Sequence, residues 1–266
     1  MTEVEMQKYL FDLNGYLVIE NVLSSQELTT LNKIFSQQEQ PKTSARIAYA
    51  GGSVTCPGFL EWGQSFVDLL DHPAILPVLR FRLGECFRLD RLYGMSMKPG
   101  MPMGKMHSDY GASSPISKSV PGEYYHYPIN EIYSGFTVVS WNLTDSGPGI
   151  GGFCCIPGSH KSNYRIPQQL LETAEHSHHV TIPSAPAGSV TLFTEALTHG
   201  TSAWHGPNDR RTLLFKYCVS QMAWGNGRVK PPSNHILTQR QKLLLAEPSE
   251  PHRFFPSVFE HQEQPL

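Results

Sequence analysis

Residues 189–217, SVTLFTEALTHGTSAWHGPNDRRTLLFKY, decide the fold class. Ser189–Thr194 alternates Ser189 and Thr191 with apolar Val190 and Leu192, the period-two pattern of a strand with unlike faces. Pro183–Gly188 supplies a turn before it, and His199-Gly200 closes a turn after it. A loop follows in which His205 sits beside Gly206-Pro207, and then Arg210 and Arg211 open a further strand running through Thr212–Val219. Strand, turn and strand succeed one another with no helical segment between them, which argues for an all-β sandwich or barrel rather than strand–helix units.

The same texture runs backwards through the chain. Short apolar or β-branched runs at Arg88–Met97, Phe136–Leu143, Gly152–Ile156 and His179–Ile182 are separated by Gly, Pro, Asn and Asp. Residues before about 80 read differently. Gly15–Glu20 is a short strand, and Ser24-Ser25-Gln26-Glu27 is a capping box with Leu23 and Leu28 at the staple positions. Leu28, Leu31 and Phe35 then recur at helical spacing, and a second helix is expected over Phe66–Leu79, broken near Pro77. The expected organisation is therefore a single domain over 1–266: a helical flank to about 80, a β core over about 81–220, and a tail over 221–266 with a helix at Leu237–Leu245.

Composition removes several function classes. A net charge of -2 and a pI near 6.6 offer no electrostatic attraction to nucleic acid or an anionic membrane. The longest apolar runs, such as Phe136–Leu143, are too short to span a bilayer, and the N-terminal stretch lacks an apolar signal core. Five cysteines without framework spacing, two of them adjacent (Cys154-Cys155), read as reduced thiols of a cytoplasmic protein.

The chemistry is concentrated in KMHSDYG, residues 105–111. On an extended segment residues i and i+2 share a face, so His107 and Asp109 would aim an imidazole and a carboxylate at one point. A histidine from another strand would complete a 2-His-1-carboxylate triad, the arrangement that leaves positions open on non-haem Fe(II). His-x-Asp alone is a weak signal that a solvent-facing loop also produces. Support comes from His199, which follows an alternating strand, and from Arg210-Arg211. Adjacent strand residues face opposite ways, so one of these arginines is expected to point inward. A buried guanidinium needs an anionic partner, and its planar fork fits a carboxylate in bidentate fashion.

With these residues in place the chain resembles the phytanoyl-CoA dioxygenase family of Fe(II)- and 2-oxoglutarate-dependent oxygenases. The resemblance runs from Phe11-x-x-Asn-Gly-Tyr-Leu-Val-Ile to Lys216-Tyr217, and its most specific pieces are His107-x-Asp109, Trp141-Asn-Leu-Thr-Asp145, Gly151–Lys161 and Thr198-His-Gly with Arg210 downstream. It implies a double-stranded β-helix, a jelly-roll variant with the metal between two sheets. It further implies that His107, Asp109 and His199 bind Fe(II) and that Arg210, eleven residues after His199, holds the distal carboxylate of 2-oxoglutarate. Arg211 takes that role if the loop carries one extra residue. Trp141 would line the co-substrate pocket, and Thr201 could donate to a 2-oxoglutarate carboxylate. The implied reaction uses O2 to hydroxylate, desaturate or ring-close a small organic substrate, with release of succinate and CO2. An aspartate at position 109 favours this over halogenation, where a small residue leaves room for chloride. The opposing reading is a catalytically silent jelly-roll protein that holds an anionic ligand; a zinc enzyme of cupin type is a third.

Other residues carry less. His205 is expected in solvent, His160 to fix a turn, and Cys154 and Cys155 to pack. Asp145 and Glu195 are open between orienting ligands and ordinary turn or surface roles. The tyrosine-rich stretch Tyr110–Ser134 could be a lid or could pack on the barrel mouth, and Met95, Met97, Met101, Met103 and Met106 could line a pocket or fill core gaps.

Overall fold

A computed structural model of the chain describes residues 2–38, 46–49, 51–114 and 135–260. The elements are α1 (Glu3–Asn14), β1 (Tyr16–Ile19), α2 (Ser25–Gln38), β2 (Arg46–Tyr49), α3 (Gln64–Val67), α4 (Leu76–Leu83), β3 (Phe87–Met97), β4 (Phe136–Asn142), β5 (Phe153–Cys155), α5 (Gln168–Glu172), β6 (Val190–Thr194), β7 (His199–Thr201), β8 (Arg210–Val219) and α6 (Gln239–Leu244). Six strands form one antiparallel sheet in the order β1-β6-β4-β8-β3-β2. β5 and β7 form a smaller sheet, which single bridges extend on both sides, His107 to His199 and Thr181 to Cys155.

Strand alternation then sorts side chains into two cores. From the large sheet Val139, Trp141, Leu192, Leu213, Phe215 and Tyr217 face the helices, where they meet Phe11, Phe35, Phe59 and Phe66. The opposite face contributes Phe136, Val138, Phe193, Leu214 and Cys218, which pack on Phe153, Cys155 and Leu197 of the small sheet side. The molecule is thus mainly β, with helices on one face of the large sheet and the small sheet on the other. No helix among the described residues is long and apolar enough to cross a membrane.

The structure departs from the sequence reading in several places. α1 was not expected, although Thr2 and Glu5 form the same reciprocal capping box as Ser24 and Glu27. Only Phe11 of α1 is buried, so the helix lacks the apolar stripe that announces α2. The helix expected over Phe66–Leu79 is three pieces: α3, a 3-10 turn at Asp68–Asp71, and α4. Pro77 lies in the first turn of α4 and so starts a helix rather than breaking one, because the N–H it lacks has no partner there in any case. The run His179–Ile182 contributes a single bridge instead of a strand, and His199-Gly200 is strand rather than turn. β2 was not anticipated.

Gly15 ends α1 at φ 80°, and a Cβ there would stand 2.5 Å from Nδ1 of buried His160. Gly15→Ala is expected to cost about 1–3 kcal/mol from the backbone alone, read as a lowered urea midpoint. His160 itself donates from Nε2 to the Asp12 carbonyl at 3.0 Å, and burial pushes its pKa down to about 4. Its folded pKa lies below the unfolded value of about 6.5, so between those values the unfolded chain binds the proton and the native state does not. Stability should therefore fall as pH drops from 6.5 towards 4, by about 1.4 kcal/mol per unit from this residue. A His160→Gln variant should lose less between pH 7 and pH 4.5 than the unaltered protein in urea titrations.

Candidate functional site

The small sheet brings two histidines side by side. His107 and His199 exchange backbone hydrogen bonds, N to O at 2.9 and 2.8 Å, which turns both rings to the same face with centroids 4.8 Å apart. Asp109 follows two residues later on the same segment. Ligand atoms of His107, Asp109 and His199 all lie within 4.8 Å of one another, the one such group among the described residues.

Each histidine is oriented by its own local backbone. His107 Nδ1 donates to the Lys105 carbonyl at 3.1 Å, and His199 Nδ1 donates to the Leu197 carbonyl at 2.8 Å. A carbonyl only accepts, so each Nδ1 carries a proton and Nε2 is the ring nitrogen left to meet another partner. Burial lowers the His199 pKa to about 4, against a smaller opposing pull from Asp109, so the ring is neutral. Asp109 is ionised. Burial alone would raise its carboxyl, but the Lys216 ammonium, by charge and by its hydrogen bond, outweighs that and holds it below the ordinary range. Lys216 Nζ donates to Asp109 Oδ2 at 2.7 Å.

The three residues open on a cavity of about 220 Å³ between the sheets. Thr201 and Phe153 line it from the small sheet; Tyr93, Met95, Ser140 and Phe193 line it from the large one. β8 supplies the rest through its pleat, because Arg210, Thr212, Leu214 and Lys216 all take the inward phase. Arg210 is 3% exposed, and its Nη1 donates to Met97 Sδ at 3.4 Å, a weak acceptor for a guanidinium. Thr212 Oγ1 is buried without a hydrogen-bond partner among the described residues. A cation and a hydroxyl two residues apart on one strand face suit a carboxylate, and two imidazoles with one carboxylate suit a divalent transition metal such as Fe(II).

The structure separates the expected residues. His107, Asp109, His199, Arg210 and Thr201 share the cavity wall. Arg211 does not: it turns to the helix side, where Nη1 donates to Asn32 O and to Ser36 Oγ and the guanidinium lies over Phe35. Trp141 is a correction. It is fully buried in the helix-side core, with its ring 5.4 Å from that of His72, and its neighbour Ser140 faces the cavity instead. Every residue of β4 is buried, so hydrophobicity could not reveal which face Trp141 takes. Lys216, Thr212 and Ser140 were missed; Thr212 and Lys216 were findable as Arg210+2 and Arg210+6 on an alternating strand.

Of the remaining described candidates only Met95 reaches the cavity. His205 is exposed. His160 sits in the 3-10 turn Ser159–Lys161. Cys155 packs between the sheets and Cys154 is buried. Asp145 accepts from Ala187 N, which is a turn role, whereas buried Glu195 accepts from Gly135 N and so ties β6 to the start of β4. Met95 lines the cavity, while Met97 and Met101 pack on Trp204. Most of the tyrosine-rich stretch, from 115 to 134, lies outside the described residues.

Comparison with known proteins gives a consistent picture. The family described as Phytanoyl-CoA dioxygenase (PhyH) matches residues 11–212. A probable alpha-ketoglutarate-dependent hypophosphite dioxygenase of Stutzerimonas stutzeri is 25% identical over 252 residues, covering 83% of this chain and 79% of the relative. An ectoine dioxygenase of Stutzerimonas stutzeri (strain A1501) is 24% identical over 240 residues, covering 78% and 74%. Among solved structures, HygX from Streptomyces hygroscopicus with nickel, 2-oxoglutarate and hygromycin B superposes with a TM-score of 0.68 at 20% identity, over 84% of this chain and 89% of that one.

Proposed function

From the premise that this chain belongs to the phytanoyl-CoA dioxygenase family, and is an Fe(II)- and 2-oxoglutarate-dependent dioxygenase, we propose that it hydroxylates an unactivated C–H bond of a small organic substrate, releasing succinate and CO2. Desaturation and ring closure are the other outcomes of the same oxidative chemistry. The β core in this reading is a double-stranded β-helix of jelly-roll form. One observation carries the proposal: the donor atoms of His107, Asp109 and His199 converge within 4.8 Å in a cavity that buried Arg210 also lines.

His107, Asp109 and His199 are the metal ligands in this assignment. Arg210 receives the distal carboxylate of 2-oxoglutarate, Thr212 donates to the same group, and Thr201 donates from the small sheet. Bound Fe(II) supplies the redox chemistry that couples O2 and the decarboxylation of 2-oxoglutarate to substrate oxidation. The chain's own work is positioning and exclusion of water. Phe153, Phe193, Leu214 and Tyr93 wall the cavity with apolar surface, which strengthens the Arg210–carboxylate attraction. The similar proteins are named for substrates as unlike as hypophosphite and ectoine, and HygX was crystallised with hygromycin B. In this reading metal and co-substrate take the residues assigned above, and substrate choice belongs to the walls and mouth of the cavity.

The test is 2-oxoglutarate turnover by protein purified without oxygen and reloaded with Fe(II). Slow, iron-dependent release of succinate without added substrate is expected. Tight 2-oxoglutarate binding with no succinate at all would favour a silent binding protein, and turnover supported equally by Zn(II) would sink the redox assignment.

A further inference from the structure

Lys216 is a lysine on the inner face of β8, with a side chain only 6% exposed. Neither the sequence pattern nor the family assignment gave it a task. Its ammonium is 2.7 Å from Asp109 Oδ2 and lies 4.9 Å over the Phe136 ring and 5.8 Å from the centre of the Tyr93 ring. Lysine is almost never this buried without a partner, and Asp109 is the carboxylate to which it donates here.

We propose that Lys216 is a positioning residue that holds the Asp109 carboxylate in a one-oxygen binding posture towards the metal. The inference rests on the assignment of Asp109 as a metal ligand and adds a role for a residue outside the ligand set. The two histidines provide the pattern. Lys105 O fixes the His107 ring and Leu197 O fixes the His199 ring, each through the nitrogen that does not face the site. Lys216 does the same for the third ligand: it occupies Oδ2 and leaves Oδ1 for the ion. Such outer partners set ligand orientation, and their loss commonly weakens metal binding by 10–100-fold. β8 makes the contact rigid, because Lys216 sits in a ten-residue strand paired on both sides, to β3 and β4. Arg210 and Lys216 leave the same strand on the same face, so one element orients both the metal's carboxylate and the residue assigned to the co-substrate.

The pair also has a repulsive side, since a buried cation near the site disfavours a second one. Orientation and repulsion predict opposite signs when Lys216 is replaced, which makes the proposal decidable. The experiment measures Co(II) affinity and the Co(II) visible spectrum of metal-free protein by titration, for the unaltered chain, Lys216→Met and Lys216→Gln. Methionine keeps the length and removes both charge and donor; glutamine keeps a donor. The expected result is a Co(II) Kd raised at least about tenfold in Lys216→Met, an intermediate value in Lys216→Gln, and a changed spectrum in the methionine variant. Circular dichroism and thermal unfolding report whether each variant is folded, and if Lys216→Met is not, Lys216→Gln alone decides by its Kd and spectrum. Binding as tight as or tighter than that of the unaltered protein, with the same spectrum, overturns the positioning role and leaves the metal assignment standing. Failure of the unaltered protein to bind Co(II) overturns the metal assignment, and the role of Lys216 with it.

Discussion

Replacing Asp109 by alanine is expected to abolish 2-oxoglutarate-dependent succinate formation and to weaken Fe(II) or Co(II) binding by more than the roughly 10–100-fold typical of losing an outer partner. The reasoning begins with charge. Asp109 is the only carboxylate in the cluster of potential metal ligands, and both histidines are oriented by Nδ1 contacts to backbone carbonyls. Without Asp109 a divalent ion would meet two imidazoles and no anion, while Lys216 would remain buried beside it with its carboxylate partner gone. Removing one member of a buried pair leaves an uncompensated charge, commonly a cost of about 3–5 kcal/mol. A lowered melting temperature alone is therefore uninformative, and metal affinity has to be measured on protein shown to be folded. Asp109→Asn separates the effects further, since it keeps the shape and removes the charge. Full turnover by Asp109→Ala would sink the triad.

How much of this was legible without coordinates follows from what strand geometry can and cannot encode. The convergence of His107, Asp109 and His199 was readable because His-x-Asp has the period of a strand and His199 follows an alternating one. The opposition of Arg210 and Arg211 was readable for the same reason, although only the structure says which one enters the cavity. Trp141 failed because β4 is buried on both faces, so its sequence carries no amphipathic phase and a motif match alone had to choose the side. Counting from Ser140 as a cavity residue would have corrected it, but nothing in FTVVSWN marks Ser140. Lys216 lay in plain view as a charge within the apolar run LLFKYCV. A buried strand holding a lysine demands a partner, and that demand was the unused signal. The capped helix α2 was legible from its box and stripe together, whereas α1 has the box without the stripe.

Arg210→Ala should raise the concentration of 2-oxoglutarate needed for half-maximal turnover by at least about thirtyfold, which corresponds to about 2 kcal/mol, the lower end for truncating one partner of a buried charged hydrogen bond. Arg211→Ala should leave that concentration within about twofold and act on stability instead. The contrast comes from the pleat of a single strand. Arg210 is 3% exposed and lines the cavity, while Arg211 reaches across the other face to α2, donating to Asn32 O and to Ser36 Oγ at 2.7 Å. Losing the Arg211 contacts frees the end of α2 and uncovers the Phe35 ring on which the guanidinium lies; an exposed contact of this kind is worth about 1 kcal/mol. Lysine at position 210 distinguishes charge from geometry. A point charge on a flexible stem cannot reproduce a two-pronged fork, so Arg210→Lys should recover only part of the lost affinity. If Arg210→Ala keeps its 2-oxoglutarate requirement and Arg211→Ala loses it, the inward phase assigned to β8 is wrong. Thr212 and Lys216 would fall with it, because all three assignments rest on the same alternation.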